Sequence, residues 1–357
     1  MSEPDLNQAK MEEFGGRALD VLNKAGIAVM MSVGHRTGLF ETMSGLAPST
    51  ASEIAQSAGL QERYVREWLG AMVTGRVVEH DSDTGTYLLP PEHAAFLTKA
   101  AQTNNIAAFS QAIPLISNVE DEVVECFRKG GGVPYASFKR FPDVMREWSA
   151  PTFDVLLVDK ILPLAPGLVE SLVGGIDVLE VGCGSGRAVN VMARAFPRSR
   201  FVGYDLLPEQ IATAGSEASA WGLSNARFDV MDVASISGAE QYSLVAAFDT
   251  VHDQAQPDVL LARVESLLKR GGTFLMWDVA ASSHLHNNAD HLLGPFLYAV
   301  SCMHCVTVSL AQNGEGLGAM WGREKATDML ANAGFSNIKV HRIPEDPINC
   351  CYFAAKA

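Results

Sequence analysis

Between Ile176 and Ala188 the chain reads Ile-Asp-Val-Leu-Glu-Val-Gly-Cys-Gly-Ser-Gly-Arg-Ala. An apolar run of strand length carries one acid, Glu180, and then meets glycines at 182, 184 and 186 before the apolar spacing becomes helical. That pattern predicts a buried strand, a tight turn and a helix start. Glycine adopts positive φ at little cost and has no Cβ, so a turn of this kind lets a ligand lie against the backbone at a helix N-terminus. The stretch announces a bound ligand and fixes where to look for it.

Downstream, predicted strands alternate with helices. Arg200 to Tyr204 ends at Asp205, Arg227 to Met231 at Asp232, Ser243 to Phe248 at Asp249, and Thr273 to Trp277 at Asp278, with helical spacing over Pro208 to Trp221 and Gln256 to Leu268. This is the pattern of an open, largely parallel α/β sheet, in which ligands sit outside the carboxyl ends of the strands. All four acids stand at that edge. Ile338 to Arg342 and Cys350 to Ala355 read as two further strands, an antiparallel pair that closes the sheet.

A glycine turn alone does not name its ligand, because dinucleotide, flavin and nucleoside cofactors all use one. The dinucleotide fingerprint wants its third glycine one step later, where this chain has Arg187. Glu180 would repel a pyrophosphate and favour a cation. A cofactor with a positive centre and no phosphate fits better, and a dinucleotide oxidoreductase is disfavoured.

With Glu-Val-Gly-Cys-Gly-Ser-Gly at 180–186, Gly-Tyr-Asp at 203–205, Met-Asp-Val at 231–233 and the terminal strand pair, the chain resembles the class I S-adenosylmethionine-dependent methyltransferases over roughly residues 165 to 357. The resemblance implies a Rossmann-like seven-stranded sheet, mostly parallel with a C-terminal antiparallel pair. It also implies roles. The backbone from Gly182 through Cys183 and Gly184 to Gly186 would pack on the aminoacyl part of S-adenosylmethionine, with Glu180 near its ammonium and Phe248 among the cofactor contacts. Asp205 would accept the ribose hydroxyls. Asp232 would accept from the adenine amino group, with Val233 and Leu206 on either side of the ring. Ordinary helix capping is the competing account of Asp205 and Asp232.

Past the fourth strand the chain reads Asp249-Thr-Val-His252-Asp253-Gln254. In small-molecule O-methyltransferases, which the whole layout resembles, a His-Asp pair at the matching place carries the general base. His252 would then take the acceptor's proton, with Asp253 supporting it. Between Asp278 and Trp321 lies an insertion rich in apolar and aromatic side chains, expected to close a largely apolar acceptor pocket. Phe296, His304 and Trp321 are its candidate lining residues, with Tyr135 and Met30 from the front half of the chain. His284, His286, His291, Cys302, His304 and Cys305 in the same region could suggest a metal site, but only one Cys-x-x-Cys pair occurs, and no metal is expected. Leu292 to Leu310 contains no Asp, Glu, Lys or Arg, nearly the length of a membrane span. Pro295 and His304 interrupt it and no basic flank follows, so a buried wall of the catalytic domain is expected there.

The front half predicts a different module. Apolar spacing from Glu12 to Thr37 describes an amphipathic helix followed by a second short one. Thr50-Ala-Ser-Glu53 is a capping box opening a helix that Gly59 stops, and a second helix runs from Gln61 to Val73. Val77 to Glu79 and Thr86 to Leu89 then form a two-stranded wing. Two helices and a ribbon make a winged helix, which often reads DNA. Here Glu62, Arg63, Arg66 and Glu67 alternate on the second helix without a basic surplus. A dimerisation and substrate-capping module is the preferred reading, and a transcription regulator with a ligand-sensing methyltransferase-like half is the alternative.

The expected organisation is a winged-helix dimerisation domain over residues 1–92, a helical connector or cap over 93–165 with breaks at Pro114, at the glycine-rich turn 130–134 and at Pro163 and Pro166, and the cofactor-binding domain over 166–357. A hydrophobic share of 48% suffices for full cores, and a net charge of -14 disfavours nucleic acid and anionic membranes as partners. Six scattered cysteines and a polar, acidic N-terminus without an apolar segment fit a cytoplasmic protein, expected to be a homodimer that acts on a small molecule.

Overall fold

A computed structural model describes residues 6–236 and 238–357. The chain divides into two compact units, Met1–Leu115 and Ile116–Ala357.

The first unit opens with α1 (Gln8–Thr37), capped by the Asn7 side chain, which accepts from the Lys10 N–H at 3.1 Å, and ended by Gly38 at φ 74°. Sequence spacing predicts a helix and a short successor over this stretch, but one 30-residue helix runs through it. Gly15, Gly16 and Gly26 lower helix propensity by roughly 1 kcal/mol each, yet no proline forces a break. α2 (Leu39–Ser44), α3 (Ala51–Ala58) and α4 (Glu62–Thr74) follow. The predicted capping box at α3 forms in both directions, Glu53 accepting from the Thr50 N–H at 2.8 Å and Thr50 Oγ1 from the Glu53 N–H at 3.4 Å. Trp68 anchors the small core with Phe40, Ile54, Leu69 and Met72, and its indole N–H donates to the Met30 carbonyl at 2.8 Å. The wing, β1 (Glu79–Asp81) and β2 (Thr86–Leu88), starts two residues later than predicted, because Val78 is taken into the core. Both arginines of α4 are paired with glutamates of the same helix, Arg63 with Glu67 and Arg66 with Glu62.

The second unit is built on a seven-stranded sheet: β3 (Asp177–Val181), β4 (Arg200–Asp205), β5 (Ala226–Val230), β6 (Tyr242–Phe248), β7 (Leu268–Val279), β8 (Phe335–Ile343) and β9 (Asp346–Lys356). Its order is β5-β4-β3-β6-β7-β9-β8, with β9 antiparallel to both β7 and β8 and the other pairs parallel. The predicted α/β class, strand set and terminal antiparallel pair are all present. Alternate residues enter two cores: Leu244, Ala246 and Phe248 face one, Val245 and Ala247 the other. Burial on both faces explains why these strands read as continuous apolar runs. β3 is flanked by β4 on one side and β6 on the other, so the strand order reverses at β3 and opens a crevice at the carboxyl ends of β3 and β6.

Helices precede and interrupt this sheet. The helix breaks at Ser110–Gln111, just ahead of Pro114, which sits in the first turn of Ala112–Ser117, where the missing N–H costs nothing. Residues Phe153–Ile161 and Ser301–Val306 form π-helical turns, a widened geometry frequent at functional sites. The second joins two α-helical pieces into Gly294–Ala311, the one described helix long and apolar enough to cross a membrane, with 44% of it buried in the fold. The turn 130–134 docks on this helix. Val133 N–H donates to Thr307 Oγ1 at 2.7 Å, and a Cβ on Gly132 would stand 1.9 Å from the Thr307 carbonyl oxygen, so only glycine allows the approach.

Candidate active site

The glycine turn occupies the crevice edge. Gly184 has φ 51° and nothing within 4 Å of where a Cβ would stand, whereas a Cβ on Gly182 would lie 2.4 Å from Thr250. One glycine therefore closes the turn against β6 and the other leaves the space open. The Gly184 N–H donates to Asp205 Oδ2 and the Leu207 N–H to Asp205 Oδ1, each at 2.9 Å, which orients that carboxylate while leaving lone pairs for further donors. Cys183 is buried beneath the turn. Asp232 is exposed just beyond β5, followed by the buried Val233, and Leu206 is 59% exposed just beyond β4. Phe248 is buried, its ring 4.9 Å from that of Phe153.

Glu180 is only 2% exposed, and its Oε2 has no hydrogen-bond partner. Burial pushes its pKa well above the ordinary value and the Asp205 charge adds to this, against a stabilising Val189 N–H. A buried carboxyl with an unmet oxygen is a demand for a cation or a donor. Arg187 does not supply it. Its guanidinium is spent on Asp154, at 2.9 and 2.6 Å, and on Glu217 at 2.6 Å, and lies over the Trp221 ring.

The second half of the site follows β6. His252, on the turn Val251–Asp253, is 4% exposed. Its Nδ1 is 2.8 Å from Asp278 Oδ1, and its Nε2 is 3.3 Å from Asp253 Oδ1. Burial lowers the His252 pKa, but the Asp278 and Asp253 carboxylates outweigh it and raise the pKa well above the ordinary histidine value. Asp278 Oδ1 is itself held by the Val279 N–H at 2.8 Å and the Trp321 indole N–H at 3.0 Å. Asp249, at φ 47°, is pushed up to about 8 by burial and by Asp278. The Cys305 thiol also meets His252 and Asp253, and burial pushes it up to about 12.

His304 is fully buried beside them, its Nδ1 3.9 Å from Asp253 Oδ2. Phe141 stacks on it at 3.6 Å, and Tyr135 and Phe138 present their edges at 5.8 and 4.6 Å. The Tyr135 pKa is raised by burial and by the charges of Asp205 and Asp253, so its phenol stands within electrostatic reach of both halves of the site.

Other predicted residues are placed elsewhere. Trp321 is buried in the core against Asp278, and so supports His252 from behind. Phe296 is half-buried next to Trp148, and Met30 packs on the Trp68 core of the first unit. Of the His/Cys cluster in the insertion, the described residues bring only Cys305 into a group with metal-ligand spacing, with His252 and Asp253; Asp249, His252 and Asp278 form a second such group. Sequence reading placed Asp278 at the sheet edge without giving it a role, and it missed Phe138 and Phe141 altogether. The register of β6 with β7 puts Asp278 one step past the Phe248–Trp277 pair, a placement that no local sequence signal gives.

Residues 172–341 match the model of a methyltransferase domain, and residues 25–99 that of an Rv2258c-like winged HTH domain. The chain carries a methyltransferase domain behind a winged helix-turn-helix domain. An arsenite methyltransferase of Aquipseudomonas alcaligenes is 32% identical over 136 residues, which is 35% of this chain and 38% of that protein. The matched segments cover between 38% and 62% of the curated relatives. In fold the likeness is end to end. Human N-acetylserotonin methyltransferase, solved with S-adenosylmethionine, superposes with a TM-score of 0.72 at 16% identity over the whole of both chains. A mitomycin 7-O-methyltransferase superposes at 0.73 with 16% identity, covering 98% of this chain and 100% of the other.

Proposed function

We propose that this chain is an S-adenosylmethionine-dependent methyltransferase that methylates a hydroxyl oxygen on a small, largely apolar acceptor. The observation that carries the reading is the buried Glu180 carboxyl, its Oε2 without a hydrogen-bond partner, beside a glycine turn whose middle glycine faces open space, with Asp205 oriented next to it. These residues suit a cofactor that brings an ammonium to Glu180 and ribose hydroxyls to Asp205, with Asp232, Val233 and Leu206 around the adenine. When bound, S-adenosylmethionine supplies an electrophilic methyl group on a cationic sulfur.

The chain's own contribution is to orient the acceptor and take its proton. Asp278 fixes Nδ1–H of His252, so Nε2 is the basic edge once the ring is neutral. Held in line, the acceptor oxygen gains most of its acceleration from position, and proton removal by Nε2 adds about 10²- to 10⁴-fold. Asp253 then stabilises the imidazolium that forms. The first unit is read as a dimerisation module and not a DNA reader, since both α4 arginines are neutralised on their own helix while Phe14, Leu19 and Leu22 of α1 are exposed.

The test is a screen with methyl-labelled S-adenosylmethionine against phenols, thiols and amines, with mass spectrometry of the products. Label in an ether product that disappears in His252→Ala supports the proposal. Transfer only to sulfur or nitrogen, or unchanged turnover in the variant, refutes oxygen methylation by a histidine base.

A further inference from the structure

His304 has both ring nitrogens buried without a hydrogen-bond partner. It lies on the π-turn Ser301–Val306, one residue before Cys305, and faces the same carboxylate as His252. Neither approach to Asp253 satisfies the groups involved. Nδ1 of His304 is too far from Oδ2, and Asp253 Oδ1 also has no hydrogen-bond partner despite lying 3.3 Å from His252 Nε2. Two imidazoles thus flank one acid, with three unmet polar atoms among them, the Cys305 thiol beside Asp253, and Tyr135, Phe138 and Phe141 around His304. Buried polar groups rarely go unpaired in a finished site, so the missing partners belong to a ligand or to water.

We propose that His304 is a second recognition point for the acceptor, and that the acceptor is an aromatic compound with two neighbouring oxygens, one presented to His252 and the other hydrogen-bonded by His304. This rests on the methyl-transfer reading above and extends it to a substrate class. Burial, reinforced by the charge on His252, outweighs Asp253 and pushes the His304 pKa down to about 4, so the ring is neutral throughout the physiological range. A neutral imidazole offers one donor and one acceptor, which suits a hydroxyl or carbonyl rather than a carboxylate. Tyr135, Phe138 and Phe141 pack directly on the His304 ring, so the surroundings an acceptor would meet beside it are aromatic.

The probes are 1,2-dihydroxybenzene, 1,4-dihydroxybenzene and phenol, titrated calorimetrically into the full-length protein loaded with S-adenosylhomocysteine, and then assayed for methyl transfer. Wild type is expected to bind the 1,2-compound about tenfold more tightly than either other probe, one added hydrogen bond to a buried partner. His304→Phe should bring the three within about twofold, His304→Gln should keep part of the preference, and S-adenosylhomocysteine affinity should not change in either. Equal binding of the three by wild type, or a preference that survives His304→Phe, overturns the proposal. Should His304→Phe fail to bind S-adenosylhomocysteine, the wild-type ranking together with His304→Gln decides. A binding preference without any transfer would keep the recognition role while defeating oxygen methylation; transfer to all three probes without preference would do the reverse.

Discussion

Replacing Asp278 by Asn isolates the charge that governs His252. Asp278 Oδ1 accepts from the Val279 N–H and the Trp321 indole and faces His252 Nδ1, while Oδ2 has no hydrogen-bond partner. An asparagine with its oxygen in the Oδ1 position keeps all three contacts, loses the negative charge and places its NH2 group where the buried Oδ2 stood. Two unit charges about 4 Å apart interact by about 4 kcal/mol at an effective dielectric constant near 20, an upper bound of about 3 pKa units. With Asp253 still present, the His252 pKa is expected to fall without losing all of its elevation. The neutral ring is the active base, so wild-type kcat/KM should climb on the alkaline side of neutrality, following the raised pKa. In Asp278→Asn that rise should move to lower pH, and the plateau should drop by about 10- to 100-fold because the base is weaker. Stability carries the same sign. The contribution of a histidine whose folded pKa is raised is complete below its unfolded value, about 6.5, and is lost as pH rises through the folded one. The variant should therefore lose stability at acidic and neutral pH and approach wild type at alkaline pH. The assay is kcat/KM against pH on a verified acceptor, with the His252 ring followed by NMR and thermal melts at each pH. A rise at unchanged pH with a plateau within twofold of wild type would refute the argument.

Other substitutions separate structural from binding roles. Gly182→Ala should lower the melting temperature, because its Cβ meets Thr250, while Gly184→Ala should weaken S-adenosylmethionine binding more than it lowers stability, as calorimetry and thermal melts would register. Glu180→Gln should bind S-adenosylmethionine at least about tenfold more weakly and yet melt higher by a few degrees at neutral pH. Its raised folded pKa makes the native acid a burden that grows as pH rises above the unfolded value; equal melting temperatures would argue against burial as the cause. Trp321→Phe removes one donor from Asp278 and should lower kcat about tenfold with little change in KM; a change confined to KM would make Trp321 an acceptor wall instead. Glutamates at Leu19 and Leu22, which are 65% and 70% exposed, should convert a dimer seen by light scattering into a monomer.

The sheet was legible because each of its central strands is buried on both faces and ends in an acid or glycine, so pattern and function coincide at the same positions. The three glycines and Glu180 together named a cationic ligand, and the structure adds that Glu180 keeps one oxygen without a partner and that Arg187 is turned to Asp154 and Glu217. What stayed hidden depends on contacts distant in sequence. Asp278 gains its role only when β7 is laid beside β6, and Phe138 and Phe141 meet His304 across more than a hundred and sixty residues. The continuity of α1 is hard to read from the chain, because four internal glycines, Gly15, Gly16, Gly26 and Gly34, lower helix propensity along a stretch that stays helical. Trp321 looked like a pocket aromatic by composition, but its burial and its bond to Asp278 set it behind the histidine.

The central claim, that the glycine turn holds a cationic, phosphate-free nucleoside, is tested most directly by calorimetric titration of the full chain with S-adenosylmethionine and with NAD. One equivalent of S-adenosylmethionine is expected to bind, with affinity reduced at least about tenfold in Asp205→Ala, and NAD should give no heat. Saturable NAD binding, or no S-adenosylmethionine binding at millimolar concentration by folded protein, would contradict it.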